Sequence, residues 1–181
     1  MSLDHALLVS LLEKPNSGYA LAQLFDRSIG HFWHATHQQI YRVLQRMEAA
    51  GWIVGEVERG ETAPDRKVFR VTPDGRTALV EWLGAPGEIE TPRSALMVRL
   101  RGAAFDDAAR LVPELQRQRA RHAEQLAAYR AIEARDFAQI HSTQHMLQHQ
   151  VLKFGLAYEQ TWIDWCDATL ARIEQPTKDA P

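Results

Sequence analysis

Apolar side chains recur at helical spacing from the start of the chain. Leu3, Ala6, Leu7, Ser10 and Leu11 share one face of a first helix, and Lys14-Pro15-Asn16-Ser17-Gly18 ends it with a turn. Ser17 is placed to N-cap a second helix from Gly18 to Ile29 that buries Leu21, Leu24 and Phe25, and Gly30 stops it. After Phe32-Trp33, Thr36 is the N-cap of a third helix over Gln38 to Ala50, with Gly51 as its C′ residue. Ile40, Val43, Leu44 and Met47 form the apolar stripe of this helix. His37, Gln38, Tyr41, Arg42, Gln45 and Arg46 are left on its other faces.

The period then changes. Residues 52–58 and 67–72 are β-type runs joined by the polar segment 59–66, which predicts a hairpin with a long tip. Thr72-Pro73-Asp74-Gly75 combines an N-cap, a proline at the first helical position and an early acid, so a short helix follows and ends near Trp82-Leu83. Two glycines and two prolines in Gly84–Pro92 interrupt every period and mark a linker at 84–92 between a first domain, 1–83, and a second, 93–175, with a tail at 176–181.

The second domain carries no strand signal and is predicted all-helical. After a short helix over Ser94 to Arg101, Ala108, Val112, Leu115, Arg119, His122, Leu126 and Tyr129 recur at steps of three and four. A second seam runs through Leu147, Val151, Phe154, Tyr158, Thr161, Trp165 and Ala168. Helices of roughly 30 residues, about 45 Å long, exceed what a small three-helix domain buries. The seams therefore call for a partner chain, with Val112, Leu115, Leu126, Tyr129, Val151 and Trp165 as the expected dimer contacts.

Composition narrows the class. The 181 residues, 45% hydrophobic and 24% charged with a net charge of -2, describe a soluble globular chain and exclude disorder as its main state. No uncharged apolar run of about 18 residues occurs, and the first twenty residues lack a signal-peptide pattern, so the expected location is the cytoplasm, with no membrane partner. The single cysteine, Cys166, excludes an intramolecular disulfide and any multi-cysteine metal site. There is no glycine-rich phosphate loop, Gly-x-Ser-x-Gly elbow, His-Glu-x-x-His or paired-cysteine motif, so neither an enzyme nor a cofactor is expected.

The order of helix, short helix, turn, polar-faced helix and hairpin is that of a winged helix-turn-helix, in which the third helix enters the DNA major groove and the wing reaches toward the backbone or minor groove. The chain is thus expected to be mainly α, a winged helix-turn-helix followed by an all-α dimerisation domain. Charge supports this. From Arg27 to Met47 there are three arginines, three histidines and no acid, although the first 85 residues together hold nine Lys+Arg against ten Asp+Glu. Such a focused patch is what phosphate contact requires. The expected DNA contacts are Thr36, His37, Gln38, Gln39, Tyr41, Arg42 and Arg46 on the helix and Arg66 and Lys67 on the wing. A glutamine at the helix start can pair with adenine through both amide atoms.

These stretches also carry a family likeness. Ser17-Gly18-Tyr19-Ala20-Leu21, Phe32-Trp33, Ile40-Tyr41-Arg42-Val43-Leu44, Glu48-Ala49-Ala50-Gly51-Trp52-Ile53 and Lys67-Val68-Phe69-Arg70-Val71-Thr72-Pro73-Asp74-Gly75 resemble the PadR family of bacterial transcriptional regulators. Gly155-Leu156-Ala157-Tyr158-Glu159 and Trp162-Ile163-Asp164-Trp165 resemble the longer C-terminal domain of its phenolic-acid-responsive branch. The chain departs from the family at Ala35-Thr36-His37-Gln38, where a proline-serine-proline-glycine type lead is common, and at Arg42, where a proline is common.

The resemblance implies a homodimeric repressor on a palindromic double-stranded operator with half-sites roughly 34 Å apart. It also implies release by a small aromatic acid. His141, His145 and His149 share one helix face, and the expected effector contacts are His145, His149, Phe154, Tyr158 and Trp162, a hydrogen-bonding group beside aromatic walls. No metal is assigned, since no third-ligand carboxylate is marked by the histidine spacing. The rival from another class is a dimeric helical protein-interaction module that keeps the winged-helix scaffold without binding DNA.

Overall fold

The structure, a computed structural model, describes residues 3–27, 35–59, 65–87 and 94–175. The chain divides into two compact units, residues 1–89 and 90–181.

The first unit holds α1 (Leu3–Glu13), β1 (Asn16–Ser17), α2 (Gly18–Arg27), α3 (His37–Ala49), β2 (Ile53–Glu58), β3 (Arg66–Val71) and α4 (Pro73–Gly84). The end proposed for α2 at Ile29-Gly30, the Phe32-Trp33 pair and the wing tip 60–64 lie outside the described residues, as does the side chain of Phe25. The stripes read from the sequence meet in one core: Leu7, Leu8 and Leu11 of α1, Leu21 of α2, and Ile40, Leu44 and Met47 of α3 pack with Ile53, Phe69 and Leu79. Removal of these side chains from water is the main force holding the helices on the sheet.

The sheet has the order β1-β3-β2, all antiparallel, with Ile53 opposite Val71 and Glu58 opposite Arg66. The strand β1 corrects the expectation that residues 14–18 form only a turn: Asn16 pairs with Phe69 and Ser17 with Val68. Pro15 keeps Lys14 out of helical geometry and leaves the next residues extended along the free edge of β3. Two residues are too few for a strand to show a period. Ser17 still caps α2, its Oγ accepting from Ala20 N–H at 3.3 Å.

Gly51 has φ +75°, the left-handed conformation that ends α3. Thr72 then ties this turn to the start of α4: its Oγ1 donates to Gly51 O at 2.6 Å, its N–H donates to Trp52 O at 3.0 Å, and its Oγ1 accepts from Gly75 N–H at 3.1 Å. A side chain at position 75 would run into the Trp52 carbonyl, which is why the motif closes with glycine.

The ring of His5 stacks on Trp82 at 4.5 Å and lies 6.0 Å from Trp52, with its Nδ1 buried and without a hydrogen-bond partner among the described residues. Burial lowers its pKa below the ordinary 6.5, against the pull of Asp4. The unfolded chain therefore takes up a proton that the folded chain resists. Stability present above the ordinary histidine value is lost as the pH falls below it. Urea titrations at about pH 7.5 and about pH 5.5 are expected to show less acid sensitivity in His5→Phe than in wild type. An identical pH slope in the two proteins would remove His5 as the cause.

The second unit consists of α5 (Ala95–Gly102), two 3₁₀ turns (Ala103–Phe105 and Ala108–Leu111), α6 (Val112–Asp136) and α7 (Thr143–Glu174). The helices α6 and α7 pack against each other along their length as a hairpin. Here the expected dimer contacts need correction. Leu115, Leu126 and Tyr129 are buried within the single chain, Leu115 against Leu96 and Cys166, and the Tyr129 ring against Gly155, where a Cβ would come within 2.9 Å of it. Trp165 packs on the same Leu115 cluster and Val112 is partly covered. The α6 seam is satisfied by α7 of the same chain. Among the proposed contacts, Val151 is the one that stands exposed.

Candidate nucleic-acid interface

The third helix is built from its first residue. Thr36 is its N-cap, Oγ1 accepting from Gln39 N–H at 3.2 Å while Gln39 Oε1 accepts from Thr36 N–H at 2.8 Å, a reciprocal capping box. This satisfies two of the orphan donors of the helix start and fixes the rotamer of Gln39. Gln39 was read as a bidentate adenine contact, but its carbonyl oxygen belongs to the cap. Gln38 is exposed and makes no hydrogen bond among the described residues. His37 is exposed beside it.

One turn on, Tyr41 is 43% exposed, and its ring lies against the start of α2. A Cβ at Gly18 would stand 2.7 Å from Tyr41 Cε1 and 3.5 Å from Leu44 Cδ1, so the glycine of the Gly18-Tyr19 pair lets the two helices approach. Gly18→Ala is expected to lower stability by about 1 kcal/mol, the lower end for overpacking because the ring can turn outward. Equal urea midpoints for variant and wild type would show that the space is slack.

The cations divide into free and paired. Arg42 is exposed and makes no ion pair among the described residues. Arg46, expected on the DNA surface, is held by Asp4 of α1. On the hairpin, Arg66 forms a fork with Glu58 at 2.9 and 3.1 Å, Arg70 lies 3.5 Å from Glu56, and Lys67 Nζ donates to Glu48 Oε2 at 2.7 Å. Arg66 and Lys67, the expected wing contacts, thus each have a carboxylate partner, and of the described wing cations Arg59 alone has none among the described residues. His31 and His34 lie outside the described residues.

The five proposed effector contacts do not converge. His145 and His149 stack on Phe137 at the α6–α7 turn, at 4.7 and 4.9 Å, and His149 Nε2 bonds Glu133 Oε1 at 2.7 Å. His145 Nε2 bonds the Asp136 carbonyl at 2.9 Å. Trp162 lies seventeen residues beyond His145 on the same helix, about 25 Å at about 1.5 Å per residue, which is longer than an aromatic acid. Its ring stacks instead on His122 at 4.8 Å with the planes 7° apart. Tyr158 meets the His122 ring edge-on at 6.3 Å, and Phe154 is exposed.

Residues 7–81 match the transcriptional regulator PadR-like family, and residues 92–174 match the family described as virulence activator alpha C-term. Over 187 residues, covering 97% of this chain and 99% of the relative, the sequence is 40% identical to a probable transcriptional regulator of Mycobacterium tuberculosis. The chain belongs to the PadR-like family of transcriptional regulators. Its structure resembles that of the Vibrio cholerae virulence activator AphA, with a TM-score of 0.79 at 31% identity over 96% of this chain and 99% of that one. It shares its fold with Bacillus subtilis PadR, solved in complex with operator DNA (TM-score 0.83, 24% identity, 96% and 99% covered). That protein is also solved with p-coumaric acid (TM-score 0.78, 23% identity, 95% of each chain).

Several residues of this regulator escaped the reading of its sequence. The Asp4–Arg46 and Glu48–Lys67 pairs join residues 42 and 19 positions apart, which no local spacing marks. Gly55 inside a strand was a usable signal of close approach. The His122–Glu159 hydrogen bond in the α6–α7 hairpin joins residues 37 positions apart, and the sequence showed His122 only as one position of the α6 seam. No helix among the described residues is long and apolar enough to cross a membrane.

Proposed function

We propose that this regulator is a homodimer that represses transcription by binding a palindromic DNA operator with α3 and the β2–β3 wing of each subunit. The observation that carries the reading is α3 itself: a helix whose start is closed by its own capping box and which presents Gln38, Tyr41 and Arg42 outward on a stretch free of acids. Gln38 reads a base edge, Arg42 contacts phosphate, and Thr36, His37 and Gln39 form the helix start that faces the groove. Arg46 and Arg66 contribute phosphate contacts only by exchanging their carboxylate partners.

The dimer rests on α7. Leu147, Val151, Phe154 and Tyr158 recur at steps of four, three and four and are all about half exposed or more, an apolar stripe of about 16 Å that water disfavours and a second copy can cover. Release by a small aromatic acid belongs to the same reading, with Tyr158, Trp162 and His122 as the aromatic and hydrogen-bonding walls. The p-coumaric acid complex of the Bacillus subtilis protein supports it. A ligand preferring the DNA-free dimer is expected to weaken operator binding roughly 5- to 150-fold.

Fluorescence anisotropy of the full chain, with a labelled duplex that the protein itself enriches from a random pool and with a scrambled duplex, tests the reading across a salt series. Arg42→Ala is expected to weaken both duplexes about tenfold and to lower the salt slope by about 0.9, the loss of one phosphate contact. Gln38→Ala is expected to change preference at one or two base pairs. Weak and equal binding of the wild type to both duplexes would replace this reading with the protein-interaction module.

A further inference from the structure

We infer that Lys67 and Glu48 are positioning residues for DNA binding, a strut that fixes the wing against the recognition helix α3 by passing over Gly55. The inference rests on the DNA-binding reading above and assigns Lys67 a role other than phosphate contact.

Lys67 sits in β3 opposite Val57, beside the place where the hairpin leaves the core. Inward of it, Phe69 and Ile53 are buried, while Val57 opposite it is 66% exposed. At this junction the Lys67 stem crosses β2 and its ammonium reaches Glu48 in the last turn of α3, 2.7 Å away, while lying 5.2 Å from the centre of the Phe69 ring. The crossing is possible because residue 55 is glycine. A Cβ there would overlap Lys67 Cε and stand 2.8 Å from Glu48 Oε1. A carboxylate in the last turn of a helix opposes the helix dipole, and the Lys67 ammonium offsets that opposition. The result is a closed loop from α3 through the Gly51 turn and the hairpin back to α3.

The strut has a signature in binding that a phosphate contact lacks. A lysine spent on Glu48 releases no counterion from DNA, so its removal leaves the salt slope unchanged. What its removal loses is the fixed spacing of wing and helix, which a matched duplex requires and a scrambled one does not.

The experiment compares the full-length wild type with Lys67→Met, Glu48→Gln and the double variant, on the enriched and the scrambled duplex across a salt series, with thermal melts as the folding control. Each single variant is expected to weaken the enriched duplex about three- to tenfold, leaving the scrambled duplex and the slope as in wild type, with the double variant no worse than either single. Glu48→Gln is close to isosteric and keeps the fold in hand if Lys67→Met melts early. An equal loss on both duplexes with a slope lowered by about 0.9 in Lys67→Met overturns the strut in favour of a phosphate contact. Tighter binding of the scrambled duplex by Glu48→Gln overturns it in favour of a carboxylate that merely masks the lysine. Unmoved affinities in a wild type that does discriminate the duplexes overturn the strut alone; a wild type without discrimination overturns the DNA reading beneath it.

Discussion

Replacing His122 by alanine is expected to destabilise the helical unit by about 1–3 kcal/mol, the penalty for leaving a covered polar group without its hydrogen-bond partner. His122 Nδ1 bonds the Glu159 carboxylate between α6 and α7, with side-chain exposures of only 14% and 10%. The stacked Trp162 ring closes one face of the imidazole. With the ring gone, the Glu159 side chain loses its hydrogen-bond partner and must draw in water through the hairpin, which opposes folding. The double variant His122→Leu, Glu159→Leu is expected to recover most of the loss, since two apolar side chains of comparable size remove the need for any partner. Urea unfolding followed by the fluorescence of Trp162 and Trp165 measures both. A single variant costing less than about 1 kcal/mol would mean that the site is wet and that the pair behaves as a surface bridge. Asp167→Asn offers the contrast. Its carboxyl is held below the ordinary aspartate range by hydrogen bonds from Arg119 at 2.5 and 3.1 Å, yet the pair lies on the outside of the hairpin and its loss is expected to be small.

The second large effect concerns assembly. Phe154→Glu is expected to convert the proposed homodimer to a monomer at micromolar concentration and, through the loss of the second half-site, to weaken operator binding by at least about a hundredfold. Phe154 is 73% exposed at the middle of the α7 stripe, so the substitution adds a charge where the folded chain has no packing to lose. In a dimer that charge would be buried without a partner. Sedimentation velocity should show half the mass while the far-ultraviolet circular dichroism stays helical. An unchanged mass places the dimer contact elsewhere. The same substitution at Leu126 would be uninformative, because Leu126 is core of the single chain and its replacement would disturb the hairpin itself.

The local elements were legible because their causes are local. The threonines at 36 and 72, the glycine at 51, the proline at 73 and the stripe Ile40-Val43-Leu44-Met47 each act through neighbours within a turn or two, and each is found in the element that the sequence predicts. The helix-turn-helix order followed from these alone. Arg42 and Gln38 could be placed outward because a helix with one apolar stripe leaves the other positions to solvent.

What sits opposite what was decided only in three dimensions. The periodicity of α6 announced an apolar seam, but a period says that a face will be covered and is silent about which helix covers it. An antiparallel neighbour in the same chain did so for Leu115, Leu126 and Tyr129, since a short connection brings α7 back at far smaller entropy cost than recruiting a second chain. The apolar stripe that the hairpin leaves exposed runs through Leu147, Val151, Phe154 and Tyr158 on α7. Charge followed the same division. Sequence fixed the focus of positive residues around α3, because the count along the chain is a one-dimensional quantity. Only the packing of α1 and β2 against α3 could reveal that Asp4 holds Arg46 and that Glu48 holds Lys67 across β2, because an ion pair depends on distance in space and falls off within a few ångströms in water.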